Sequence, residues 1–328
     1  MRVLSHRELA EHMDAAGRAG KAFLFVADYE MKRGLFMENP LERRDLLWSV
    51  GESGNSLPCN GCAEGAQPSM RVLREPTPQE YAEAFAVVRR GLMRGDSFLV
   101  NLTGSTLVVA SPMEEIFHAA RAPYRLLIPG EFVCFSPETF VRISAEGIIS
   151  AYPMKGTIDA EIPDSRERLE NDPKELAEHY TIVDLLRNDL AIVASDVRVA
   201  RFRYFDRVAT RRGDIYQTSS EIRGTLPADW RGRLGEIITA MLPAGSICGA
   251  PKEATLRIIR EAERSQRGWY TGVFGYFDGH SLDSGVMIRC LQRHPDGTTR
   301  FHSGGGITVN SDCQSEYREL LQKIYLTR

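Results

Sequence analysis

From Phe98 to Ile143 the chain sets down five short apolar runs in succession: Phe98–Asn101, Leu107–Val109, Tyr124–Ile128, Phe132–Phe135 and Val141–Ile143. Each is of strand length and bounded by turn residues. Two more strands are expected near the start, at Ala22–Ala27 and from Leu35–Phe36, and three near the end, at Val273–Phe277, Gly285–Leu291 and Thr299–Ser303. Helical patterns come in groups of their own. Thr77-Pro78-Gln79-Glu80 has capping-box form and opens a helix to about Arg94. Another runs from Pro173 towards Asn188, with Asp172 as cap and Glu175 at the reciprocal position, followed by Trp230–Met241, Pro251–Arg264 and Ser311–Tyr325. Strict strand–helix alternation, the mark of a parallel sheet, is missing. The fold class is therefore α+β with largely antiparallel sheets.

Composition narrows the function. The 328 residues are 43% hydrophobic and 26% charged with a formal net charge of -3, ordinary for a globular protein. No positive surplus points to nucleic acid. Apolar runs fall short of a membrane span, and the N-terminus lacks a signal-peptide core, so no membrane association and a cytoplasmic location are expected. Six cysteines in so long a chain do not make a disulfide scaffold. Cys59 and Cys62 form the only close pair, in a Gly/Ser/Pro-rich loop between Gly51 and Ser69; incidental thiols, a metal site and a redox pair all remain open for them.

Chemistry gathers at a few places. Lys155, in Tyr152-Pro153-Met154-Lys155-Gly156-Thr157, is expected on a sharply turned loop that aims one amine into a cleft. Poor solvation there would lower its pKa and make it a nucleophile or base, against the plain reading of a solvated surface lysine. Glu138 follows the apolar strand in Ser136-Pro137-Glu138, where burial would suit a general acid. Glu175 and Glu178 share a helix face beside a buried stretch, and Asn310–Glu316 opens the last helix with further oxygen ligands. Such a set suits Mg²⁺, unless the acids only cap and solvate their helices. Pro243–Lys252 is a glycine-containing loop entering a helix, an expected anion site, and Ser303-Gly304-Gly305-Gly306 is a second loop after a strand. Tyr270 and Arg289 between them supply a donor hydroxyl and a carboxylate clamp. Together these features point to a small polycarboxylate substrate.

The residues resemble the chorismate-utilising enzymes, and among them most closely the aminodeoxychorismate synthase component I family. The resemblance rests on Gly95-Asp96 with Asn101-Leu102, Ser136–Glu138, Pro153–Thr157, Ile182–Asp189, Pro243–Lys252, Arg267–Tyr270, Ile288-Arg289 and Gly304–Glu316, in order from about Gly95 to the C-terminus. It implies two orthogonally packed antiparallel sheets flanked by helices. It implies a chorismate-binding catalytic domain over 77–328, with 1–76 as a short N-terminal segment packing on the same fold. It also implies conversion of chorismate and ammonia to 4-amino-4-deoxychorismate for p-aminobenzoate and folate synthesis, the ammonia coming from a glutamine amidotransferase subunit. In that scheme Glu138 protonates the departing C4 hydroxyl and Lys155 adds at C2. Glu178 and Glu316, with Glu175 in support, hold Mg²⁺. Gly156, Thr157, Ser246, Tyr270, Arg289, Gly304, Gly305 and Gly306 contact the substrate.

Departures from the family pattern are Asn310 and Gln314 where acids are usual, Gln217 for a histidine, and Cys248 for a Ser or Thr. Leu99 stands where sister enzymes that add water carry a lysine, and leucine cannot act as a base. Anthranilate synthase component I is the sister alternative, although it typically has Ala at the position of Lys155. A non-catalytic chorismate-binding subunit is the alternative from another class, although it would need no general acid.

Overall fold

The structure is a computed structural model that describes residues 2–56, 67–210 and 213–326, so Cys59 and Cys62 lie outside the described residues. Its strands form two nine-stranded sheets whose ladders are antiparallel. In the first sheet the order is Met154–Asp159, Gly213–Thr225, Ile148–Ala151, Thr139–Ile143, Leu282–Val286, Val273–Phe277, Phe23–Ala27 and Gly34–Glu38, with Ser195–Thr210 on Gly213–Thr225. In the second it is Gly249–Ala250, Leu99–Ala110, Thr299–Ile307, Cys290–Arg293, Phe132–Ser136, Tyr124–Ile128, Leu47–Val50 and Ser53–Gly54, with Met70–Arg74 on Leu99–Ala110.

The sheets share a core. Leu24, Val26, Phe274 and Tyr276 of the first pack with Trp48, Tyr124, Phe132 and Cys290 of the second. Helices His6–Arg18, Pro78–Met93, Leu234–Met241 and Lys252–Glu263 bury their apolar stripes in a larger cluster with strand residues such as Phe25, Val100 and Leu102. The expected capping box forms, Thr77 accepting from Glu80 N, and a second one at Ser5 and Glu8 starts a helix that the sequence reading had passed over. Asp172 caps its helix through Lys174 N and Glu175 N, without the reciprocal bond from Glu175. No helix among the described residues is long and apolar enough to cross a membrane.

The differences from expectation locate the site. The run Gly285–Leu291 is not one strand: Leu282–Val286 belongs to the first sheet and Cys290–Arg293 to the second. The chain changes sheet at Met287–Arg289, where Arg289 adopts φ +54°. Beside it, Phe132–Ser136 in the second sheet leads through Pro137-Glu138 into Thr139–Ile143 in the first. Backbone bonds Val286 N–H to Glu138 O (3.0 Å) and Phe135 N–H to Arg289 O (3.0 Å) tie the two crossings together.

The polar stretch Thr103-Gly104-Ser105 joins the two runs expected at Phe98–Asn101 and Leu107–Val109 into one strand, Leu99–Ala110, because Thr299–Ile307 pairs along it. For the same reason Gly304–Gly306 are strand residues opposite Asn101–Thr103, and the expected loop does not exist.

Candidate active site

A cavity of about 320 Å³ opens at the double crossing, with Glu138 and Arg289 in its wall. The size suits a small ligand. The remaining wall comes from Lys155 and its neighbours, the Pro173–Ala191 helix, Ser246, Tyr270, the Gly304–Gly306 strand and the last helix.

Lys155 lies on the strand Met154–Asp159, not in the expected open turn. Met154 pairs with Ser219 and Thr157 with Gln217, which leaves Lys155-Gly156 bulged opposite Thr218. Such a bulge re-aims a side chain. It depends on Gly156, at φ +90°, where a Cβ would sit 3.0 Å from Glu175 Oε2. The Thr218 hydroxyl donates to the Lys155 carbonyl and pins the bulge. Lys155 Nζ is 2.7 Å from Glu178 Oε2. Burial pushes this ammonium down, but Glu178, with Glu319 and Glu175 behind it, outweighs burial and holds it above the ordinary lysine value. The expected lowered pKa is therefore overturned: in this state Lys155 is a charged partner of Glu178.

Glu138 answers the expectation of a raised carboxyl. Burial lifts it, against the hydrogen bond from Ser246 Oγ to Oε1 (2.7 Å) and the charges of Arg289 and Lys323. Ser246 sits on the short helix Gly245–Cys248, which the Pro173–Ala191 helix holds in place. Asp189 accepts the Gly245 N–H (2.8 Å) and lies 3.2 Å from Lys252 Nζ. One of the loop's backbone N–H groups, expected to serve an anion, is thus already taken by Asp189, and Lys252 is paired with the same carboxylate.

Arg267 fastens this loop to the neighbouring strand. It donates to Ile247 O (2.9 Å) and Asn101 O (2.8 Å) and pairs with Glu263 at 2.6 Å, the two side chains only 2% and 4% exposed. Glu263 also accepts from the Thr103 amide and hydroxyl, both at 2.9 Å. Tyr270 stacks on His302 at 5.0 Å, and burial keeps its phenol neutral while pushing His302 down to about 3.

Gly304, Gly305 and Gly306 form a smooth wall, where a Cβ on Gly306 would meet Leu99 Cδ1 at 2.9 Å. Of the other expected substrate contacts, Thr157 is exposed and, with Gly156, stands outside the cavity lining. Gln217, noted only as a departure from a family histidine, lines the cavity directly.

Of the acids expected to hold a metal, Glu178 lines the cavity. Glu175 is raised by burial and then by Glu178; Glu316 is raised by burial and also by Glu319 and Glu178, while accepting from Ser311 Oγ at 2.7 Å. Among the described residues no three His, Cys, Asp or Glu side chains are gathered as a ready metal shell. Glu178 instead pairs with Lys155. An all-carboxylate set whose members repel one another still fits a hard divalent cation. Sequence reasoning missed Glu319 and Lys323, which line the cavity three and seven residues beyond Glu316. Helical spacing from Glu316 could have found both. Lys323 pairs with Glu319 at 2.7 Å and donates to Gly304 O at 2.8 Å.

Residues 22–327 match the model of the family described as chorismate binding enzyme. An uncharacterised PabA-like protein of Pasteurella multocida is 51% identical over 94% of the chain and 95% of its own length. Aminodeoxychorismate synthase component 1 of Klebsiella aerogenes is 32% identical over 75% of the chain and 52% of its own length. The crystal structure of anthranilate synthase component I from Streptococcus pneumoniae superposes with a TM-score of 0.63 at 26% identity, covering 79% of this chain and 59% of that one.

Proposed function

The chain belongs to the family of chorismate binding enzymes, and on that premise we propose that it is an aminodeoxychorismate synthase component I, converting chorismate and ammonia to 4-amino-4-deoxychorismate and water. One arrangement carries the reading: an amine, Lys155, and a carboxyl with a raised pKa, Glu138, share a single cavity in which the Leu99 side chain offers no base for water.

Glu138, steadied by Ser246, gives its proton to the C4 hydroxyl, which departs as water. The Lys155 ammonium passes a proton to the Glu178 carboxylate, 2.7 Å away, and the freed amine adds at C2 while the ring double bonds shift. That proton returns to the amine when the lysine later leaves C2. Ammonia then adds at C4, the double bonds shift back, and the lysine leaves C2. The Glu138 carboxylate takes the surplus proton from the new nitrogen. Arg289 and Tyr270 are donors available to the substrate's carboxylate and ether oxygens. Glu178, with Glu175, Glu316 and Glu319 near it, is the set that would hold Mg²⁺, which when bound supplies a charge to hold the ring carboxylate.

The ammonia source in this reading is a separate glutamine amidotransferase, since the sequence holds no Gly-x-Cys-x-Gly nucleophile elbow. Chorismate, Mg²⁺ and ammonium incubated with the purified chain should yield aminodeoxychorismate as the main product by liquid chromatography and mass spectrometry. Anthranilate or isochorismate as the main product would refute the assignment.

A further inference from the structure

The lysines and arginines that line the cavity are Lys155, Lys323 and Arg289. Lys155 is engaged with Glu178 and Lys323 with Glu319, each pair at 2.7 Å. Among the described residues the Arg289 guanidinium forms no ion pair and donates no hydrogen bond, so its N–H fork is open to a ligand. What the guanidinium does have is an aromatic ring beside it. Arg289 Cζ lies 5.3 Å from the centroid of the Tyr325 ring and over its face, within cation–π reach.

Both partners are anchored from outside the contact. Arg289 sits at the crossing between the sheets, its carbonyl accepting the Phe135 N–H at 3.0 Å. Tyr325 follows the last helix, Cys313–Gln322, and its neighbours Ile324 and Leu326 pack on the cluster that holds Phe135, Leu291 and Phe301. Tyr325 itself stays 45% exposed, so its ring adds little to that core. An arginine has many rotamers, and ordering one on binding weakens affinity unless it is ordered beforehand. A flat aromatic face orders the guanidinium without occupying its N–H donors. We propose that Tyr325 is a positioning residue whose ring holds the Arg289 guanidinium ready for a carboxylate of the substrate. The inference rests on the role given to Arg289 in the proposed function and adds what keeps that side chain in place.

The test compares Tyr325→Leu, which keeps apolar bulk and removes the ring, with Tyr325→Phe, which keeps the ring. The leucine variant should raise KM for chorismate, and its Kd by calorimetry without ammonium, by about three- to tenfold, the scale of a cation–π contact at a half-exposed site. Its kcat should stay within about twofold of wild type, because a clamp on a carboxylate grips ground and transition states alike. The phenylalanine variant should stay within about twofold in both constants. In an Arg289→Gln background the leucine substitution should add less than about twofold, since the two residues then act through one interaction. Melting temperatures of the two Tyr325 variants should match wild type, the ring being half exposed.

Equal damage from Leu and Phe, a fall in kcat alone, or the full loss repeated in the Arg289→Gln background would each overturn the proposal. If Arg289→Gln weakens chorismate binding and Tyr325→Leu does not, this inference alone falls. If Arg289→Gln itself leaves chorismate affinity unchanged, the role given to Arg289 falls with it. Wild type that binds chorismate and makes no aminodeoxychorismate removes the proposed reaction, and the calorimetric comparison still decides on Tyr325.

Discussion

Glu138 shows how one residue's surroundings become a measurable function. Its carboxyl is raised first by burial, so the folded state holds a proton that the unfolded chain releases nearer the ordinary value of 4.5. Between those two values the folded state binds more protons, and stability falls as pH rises. Glu138→Gln removes that penalty. The variant should melt above wild type at neutral pH, with the gap closing as pH drops below the unfolded carboxyl value. Its turnover should fall by about 10²–10⁴-fold, the usual worth of a positioned proton donor. It should also lose the alkaline limb of the pH–rate profile that belongs to this group. A loss of stability at neutral pH, or an unchanged rate, would count against Glu138 as the acid. This residue was legible in the sequence because it follows an apolar strand. Lys155 was legible as the amine of the site, yet its charge state was not, because Glu178 is 2.7 Å away in space and 23 residues away in sequence.

At the level of elements, the sequence signals helix caps and apolar strands well because these are local. The Thr77 capping box and the strands Tyr124–Ile128 and Val273–Phe277 stand where they were expected. What local pattern cannot carry is a partner: Gly304–Gly306 read as a loop and became strand through Leu99–Ala110, and the Lys155 segment became a bulged strand through Gly213–Thr225. The buried Arg267–Glu263 pair is another such long-range device, tying the Ser246 loop, the Asn101 strand and the helix Lys252–Glu263 together. Glu263→Ala leaves a buried guanidinium without its counter-charge, which costs about 3–5 kcal/mol. Denaturant titration should show that loss. Chorismate binding should weaken with it, since Ser246 and Asn101 lose their common anchor. A variant as stable as wild type would mean that the backbone acceptors alone hold Arg267.

On the scale of the whole molecule, the cavity exists because two connections cross between sheets side by side, and a helix from each end of the chain's second half closes over them. The Pro173–Ala191 helix brings Glu178 and the last helix brings Glu316 and Glu319, with Lys155 among the charges that act on the acids from both helices. That convergence stores repulsion that a cation can relieve, so Mg²⁺ should stabilise the fold as well as assist the reaction. At a hundred times its Kd a ligand specific to the folded state adds about 2.7 kcal/mol. A chain of this size should then melt a few degrees higher in saturating Mg²⁺, without any substrate present. Glu178→Gln removes the carboxylate that pairs with Lys155 and belongs to the proposed Mg²⁺ set, and its melting temperature should no longer respond to Mg²⁺. Glu316→Gln and Glu319→Gln should each weaken the response, and the larger effect marks which turn of the last helix faces the metal. An equal Mg²⁺ shift in wild type and Glu178→Gln would place the cation elsewhere and leave Glu178 as the counter-ion of Lys155 alone.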